Sequence, residues 1–254
     1  MFHVFKRIFM VKRNIVLLFA IAAIVGSVSA QIRPGIKMGY NVGGVMATNN
    51  VAEANIFRAG ISDNFRMKSG FQGGIIADWP INDVYAIQPG VRFIMHGFID
   101  KYRDAPSGDA RNNTRRFALY YLQVPVYAQY RWNVAEETNV LFQAGPYFGY
   151  GLFGRHSWMR SGKDQKPSDK DKKISFGNGT SKDIRNGFDY GIGAGVGIEF
   201  YRFQFMVAYD FGLYEMTYKK SMKSASYNVD MRNHNLSVTL AVIFGRRDPL
   251  QGKE

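Results

Sequence analysis

Arg92 and Asp210 stand near the middle of two segments whose other residues are mostly neutral, and the first chemical question is what such a pair does there. A charge inside a protein is tolerable only when it is paired, so the expectation is a buried ion pair across an enclosed interior. The rival expectation is a proton or ion path past the same two groups. Gln88, Gln123 and Gln143 fall on the same polar face as Arg92, and Glu199 and Asp78 fall on it near segment ends, where water is expected to solvate them. Together Arg92, Asp210, Gln88, Gln123, Gln143 and Glu199 form the candidate polar cluster.

Other chemistry finds little support. The histidines, His3, His96, His156 and His234, have no pair at the spacing of a helix-borne metal site, so no metal is expected. The chain has no Cys, which removes disulfides, thiolate ligands and lipid attachment. No paired carboxylates or nucleophile elbow can be recognised, and neither catalysis nor a cofactor is expected. Gly191-Ile-Gly-Ala-Gly-Val-Gly197 superficially suggests a nucleotide loop, but its glycines recur every second residue inside a strand-like run. A dinucleotide fingerprint needs a turn opening into a helix. The glycines are expected to make room for bulky side chains from opposite strands.

The elements that position these residues alternate with period two, the spacing that sends successive strand side chains to opposite faces. Eight such segments follow one another: Gly35 to Gly44, Met67 to Trp79, Tyr85 to Phe98, Phe117 to Arg131, Asn139 to Phe153, Asp189 to Phe200, Phe203 to about Glu215, and Asn235 to Phe244. Their connections alternate in length, with short ones at Pro80 to Val84, Trp132 to Thr138 and Tyr201-Arg202. All the long ones then fall at the opposite end. The expected fold is all-β, an eight-stranded antiparallel transmembrane β-barrel in an up-and-down meander, with both termini periplasmic because the strand number is even.

Alternation alone does not say which face points inward. The polar face is mostly Gly, Gln, Ser, Thr and Ala, whereas a water-facing surface is about a quarter to a third charged. It therefore suits a packed lumen. The apolar face suits lipid, because a closed barrel satisfies its own backbone, and Trp79, Tyr85, Tyr130, Trp132, Phe200, Tyr201 and Phe203 gather at the short-turn ends as an interfacial girdle. Eight strands leave an interior that side chains fill, which argues against a general porin.

Ahead of the barrel, Lys6, Arg7, Lys12 and Arg13 precede the apolar run Ile15 to Val25 and the small residues up to Ala30, the layout of a cleavable signal peptide. Residues 1–30 are thus expected to be a signal peptide and 31–254 the barrel domain. Without those four cations the chain keeps 29 Lys and Arg against 20 Asp and Glu. Much of the excess lies between Arg155 and Arg185, which reads as a solvated loop rather than a nucleic-acid face. Its Ser157 to Lys182 portion, with Lys163, Lys166, Lys170, Lys172 and Lys173, offers contact to anionic lipid head groups or a partner.

Ile87-Gln-Pro-Gly-Val-Arg-Phe93, Tyr120-Tyr-Leu-Gln-Val-Pro-Val-Tyr127 and Ala144-Gly-Pro-Tyr-Phe-Gly-Tyr150, with Gly35-Ile-Lys-Met-Gly-Tyr-Asn41, resemble the PorT-like family of outer-membrane β-barrel proteins. The resemblance implies an exported outer-membrane barrel and a link to the type IX secretion system, which the name-giving member serves. Gly90, where relatives carry an acidic residue, and the polar tail Gly245 to Glu254 depart from the pattern. Pro89, Pro125 and Pro146 each delete a ladder donor within a strand, and local bulges are expected there. The expected function is a structural, interaction or envelope-assembly role, with outer-membrane lipid and envelope or secretion-system proteins as partners and no nucleic acid. The alternatives are a small transport barrel with a polar lumen and an outer-membrane enzyme.

Overall fold

Long alternating strands of this sequence find their hydrogen-bond partners in the next strand along the chain. The computed structural model describes residues 32–47, 65–104, 111–160, 172–174, 176, 184–185, 187–222 and 225–245. The leader expected over 1–30, the lysines Lys163, Lys166 and Lys170, and the tail after Gly245 lie outside them.

The strands are β1 (Arg33–Ala47), β2 (Phe65–Pro80), β3 (Tyr85–Asp104), β4 (Arg111–Ala135), β5 (Thr138–Arg160), β6 (Lys172–Ile174), β7 (Ile184–Arg185), β8 (Phe188–Phe200), β9 (Phe203–Gly212), β10 (Met216–Met222) and β11 (Ala225–Ile243). The order β1-β2-β3-β4-β5-β8-β9-β11 is antiparallel throughout, and β11 pairs with β1 from Gly35↔Ile243 to Ala47↔Met231, which closes an eight-stranded barrel. The three short strands all sit at the long-loop end, β6 on β5, β10 on β11 and β7 on β10. Closure abolishes the unpaired edges that would otherwise be costly in lipid.

All eight expected strands are present. Those on one side run further than alternation indicated: β4 has 25 residues and β5 has 23, against 10 in β9. The extra length, such as Arg111 to Arg116, is an unbroken polar run in the sequence and so carries no two-fold pattern. At the other end the turns are tight. Asn82 Oδ1 accepts from the backbone N–H of Val84 and of Tyr85 at 2.9 and 2.6 Å, while Glu137 (φ 56°) and Tyr201 (φ 53°) take left-handed conformations in the two-residue turns.

The faces are distributed as the inverse of a water-soluble protein. Ile75 and Met38 are 63% and 61% exposed on the outer wall, whereas the inward Gln123 and Asn235 are fully buried. The short-turn aromatics Trp79, Tyr85, Tyr130, Trp132, Phe200, Tyr201 and Phe203 are all exposed. Such a molecule is at home where the surrounding solvent is hydrocarbon.

The bulges expected at the prolines are not there. Pairing passes from Ile76↔Gly90 to Trp79↔Ile87, from Pro89↔Val126 to Arg92↔Gln123, and from Pro125↔Tyr147 to Ala128↔Ala144 with no change of register. A one-residue slip would turn every later side chain to the wrong face, so the ladder skips a pair instead. The register shifts fall elsewhere, between Met67 and Gln72, Tyr120 and Tyr121, and Asn133 and Ala135.

Candidate functional site

The inward residues stack in three tiers that fill the barrel from one end to the other. At the short-turn end, Asp78 at the close of β2 is held by two arginines. Arg33 donates from Nε at 3.0 Å and from Nη2 at 2.5 Å, and Arg131 from Nη2 at 2.5 Å. Arg131 Nε also lies 3.5 Å from Glu199 Oε2, and Glu199 accepts from Gln204 Nε2 at 2.7 Å and Asn139 Nδ2 at 3.1 Å. The expectation that water solvates Asp78 and Glu199 is therefore corrected: both are buried, Arg33 and Arg131 compensate their charge, and the amides of Gln204 and Asn139 donate to Glu199.

The middle tier is built on the pair foreseen in the sequence. Arg92 Nη2 donates to Asp210 Oδ2 at 2.7 Å, Nε to Gln123 Oε1 at 2.9 Å and Nη1 to Gln72 Oε1 at 3.1 Å. Asp210 accepts further from the Tyr127 hydroxyl at 3.0 Å and Asn235 Nδ2 at 3.3 Å. Charge and hydrogen bonding are thus met together, the condition under which a buried pair is tolerable. Gln123 Nε2 also lies 3.2 Å from His96 Nε2. Gln88 joins the lower two tiers, accepting from Lys37 Nζ at 3.1 Å and donating to Gln204 Oε1 at 3.1 Å. Gln143 is buried on the same inner wall, but its Oε1 has no hydrogen-bond partner.

Glycines make this crowding possible. A Cβ on Gly193 would lie 2.5 Å from Asp210 Oδ1 and 2.7 Å from the Tyr127 hydroxyl, and one on Gly191 would lie 2.7 Å from the Tyr147 hydroxyl. Gly191 and Gly193 of β8 are therefore steric vacancies for Tyr147 of β5 and Tyr127 of β4, while Gly195 and Gly197 leave room for Ala208 and Met206 of β9.

The third tier, at the long-loop mouth, is mainly apolar, around one buried polar contact in which Asn233 Nδ2 donates to Asp189 Oδ2 at 3.1 Å. Val45, Ile94, Phe98, Phe117, Leu119, Tyr121 and Met231 cluster there with Ile174 of β6, and Phe176 and Tyr214 pack against them. Phe98 and Phe117 stack at 4.4 Å, and Phe176 meets Tyr121 edge-on at 5.7 Å. The segment read as part of a solvated loop thus contributes a buried residue, because β6 pairs with β5 at Gly154↔Ile174 and places Ile174 inside the barrel.

Five residues of the expected cluster, Arg92, Asp210, Gln88, Gln123 and Glu199, enter continuous networks. Arg33, Arg131, Gln72, Tyr127, Asn235 and Gln204 were not singled out beforehand. Their signal was present as phase: Arg131 continues the inward run Gln123, Tyr127, Gln129, and Arg33 continues Lys37 and Gly35. Among the described residues the lumen holds Arg33, Lys37, Arg92 and Arg131 against Asp78, Asp189, Glu199 and Asp210. The void beside Lys37, Gln72, Gln88, Arg92 and Tyr127 is about 20 Å³, on the scale of one water.

Ail of Yersinia pestis shares 10% identity at a TM-score of 0.36, over 84% of this chain and 99% of its own. Neisserial surface protein A shares 13% at 0.38, over 83% and 97%, and OprG of Pseudomonas aeruginosa shares 10% at 0.34, over 84% and 94%. No curated protein matches the sequence. Residues 26–218 match the family described as the outer membrane protein beta-barrel domain, and the chain belongs to that family of outer-membrane proteins.

Proposed function

We propose that this protein is a plugged structural barrel that holds its long-loop end as an interaction surface for envelope or secretion-system proteins, conducting no solute and turning over no substrate. The observation that carries the reading is the stack of three closed tiers. The Asp78 and Arg131 lock, the Arg92 and Asp210 network and the apolar mouth lie in series across the lumen. A barrel of this strand number has an interior about the width of its own side chains, and a path for solute would have to break charge-assisted hydrogen bonds at two levels.

In this reading residues 1–30 are a leader that is removed, both termini are periplasmic, and the long loops face outward, as an even strand number and short turns favour. The PorT-like motifs Ile87 to Phe93, Tyr120 to Tyr127 and Ala144 to Tyr150 support a role in envelope assembly, with the type IX secretion system as the assembly to test first. The polar cluster of Arg92, Asp210, Gln88, Gln123, Gln143 and Glu199 then serves to lock the lumen.

The test is planar-bilayer recording of the purified, refolded chain, with heat-dependent gel mobility as proof of a closed barrel. The expected result is a mobility shift on boiling with no unitary conductance steps. Steady conductance abolished or altered by Arg92→Gln would replace this reading with the transport barrel. Pull-down of cross-linked envelope proteins through the long loops addresses the partner, and loss of secretion on deletion would establish the type IX link.

A further inference from the structure

On the outer wall, Phe71, Phe93, Tyr120 and Phe153 form a lateral row of rings across β2, β3, β4 and β5, with centroids 6.4, 5.7 and 4.6 Å apart. Tyr120 and Trp132 are twelve residues apart on the outward face of β4. At about 3.3 Å per residue and a tilt of about 40°, that separation is about 30 Å along the membrane normal, the thickness of a hydrocarbon core. The ring row therefore marks the second hydrocarbon boundary, opposite the girdle at the short turns.

Immediately beyond it the outward positions become cationic. Arg116 lies two outward positions past Tyr120, or about 10 Å further along the normal, at head-group depth. Arg155 follows Phe153 by one outward position, and Lys173 is its directly paired neighbour on β6. All three side chains are exposed, while Ile174 and Gly154, one residue away, are buried on the inner side. Among the described outward residues beyond the ring row on β3 to β6, none is acidic. On another part of the same rim Arg232 is neutralised by Glu215 at 2.6 Å, and the short turns carry Asp83, Glu136 and Glu137 against Arg202. Among the described residues, Arg116, Arg155 and Lys173 thus gather on one side of one end.

We propose that Arg116, Arg155 and Lys173 form a binding site on the barrel wall for the phosphate groups of a phosphorylated membrane lipid, whose acyl chains lie against the ring row below. Guanidinium groups match phosphate oxygens bidentately, and a cation at an anionic membrane surface contributes roughly a fivefold preference, so three give on the order of a hundredfold. The inference rests on the proposed orientation of the long loops toward the leaflet that carries such a lipid.

The test uses the full chain refolded in neutral detergent and measures lipid retained after gel filtration. The probes are diphosphorylated lipid A, the same lipid after enzymatic dephosphorylation, phosphatidylcholine, and inorganic phosphate as competitor. The expected result is about hundredfold preference for the diphosphorylated lipid, loss of that preference in R116Q/R155Q/K173Q, about fivefold loss in Arg155→Gln alone, and no change in Arg202→Gln. Retention by the triple variant equal to wild type, equal loss in Arg202→Gln, no preference in the wild type, or full competition by inorganic phosphate each overturns it. Heat-dependent mobility separates the two levels. A shifted band without lipid preference refutes the site alone, whereas an unshifted wild-type band refutes the closed barrel beneath it.

Discussion

Removing one partner of the Arg92 and Asp210 pair should be far more damaging than removing both. Arg92→Met leaves the Asp210 carboxylate hydrogen-bonded to Tyr127 and Asn235 but with no directly bonded cation, and Asp210→Asn leaves the guanidinium with Gln72 and Gln123 but with no directly bonded anion. An uncompensated charge of this kind costs about 3 to 5 kcal/mol, whereas replacing both members is often close to neutral. Because the Arg92 side chain keeps 11% exposure, the lower part of that range, about 3 kcal/mol, is expected for Asp210→Asn. The combination of Arg92→Met and Asp210→Asn should lie within about 1 kcal/mol of wild type. The assay is urea unfolding of the barrel in phosphatidylcholine vesicles, followed by tryptophan fluorescence and by loss of the heat-shifted band. With a slope of about 2 kcal/mol per molar, each single variant lowers the midpoint by about 1.5 to 2.5 M. If both single variants cost less than about 1 kcal/mol, or if the double variant falls at their sum, the two charges do not depend on one another and the central lock is not electrostatic.

Steric vacancies give a second test. Gly193→Val should cost at least about 1 to 3 kcal/mol because its Cβ collides with Asp210 and Tyr127, whereas Gly73→Ala, whose Cβ would meet only Lys37 O at 3.9 Å, should leave the unfolding midpoint unchanged. At the mouth, Ile174→Ala should remove about 2 to 4 kcal/mol of local packing and accelerate amide exchange at Gly154 to His156, the β5 partners of β6, while the heat-dependent band shift persists. Exchange unchanged at those three residues would mean that β6 is not held by its buried isoleucine. At the short turns, Glu137→Gly should raise stability by about 0.5 kcal/mol by relieving a left-handed φ of 56°, and Glu137→Val should lower it by about 1 kcal/mol in the same titration.

The strand map, the meander order and the sense of the two faces were all legible in the sequence, because each depends on local alternation repeated eight times. Phe203, Phe205 and Val207 against Gln204, Met206 and Ala208 state the inside and outside of β9 without any knowledge of β11. The Arg92 and Asp210 encounter was also readable, since two charges on the inner wall of a narrow barrel have few other places to go. The corrections arose where neighbours decide the outcome. Asp78 and Glu199 looked close enough to an end to be wet, and Arg33 and Arg131 were too near their strand ends to be recognised as partners. Three prolines suggested bulges, yet the pairing kept its register through all of them, because eight coupled strands oppose a slip that one strand would allow.

Period, face and turn length belong to the chain itself: they follow from side chains one or two residues apart, and so the sequence alone determined eight antiparallel strands with an inward and an outward face. Which arginine meets which carboxylate, and how far Ile174 reaches into the mouth, depend on side chains separated by tens of residues. Register and stagger across all eight strands bring those groups to the same height, and only barrel closure sets that height. Local pattern therefore decided the wall, and tertiary pairing decided what fills it.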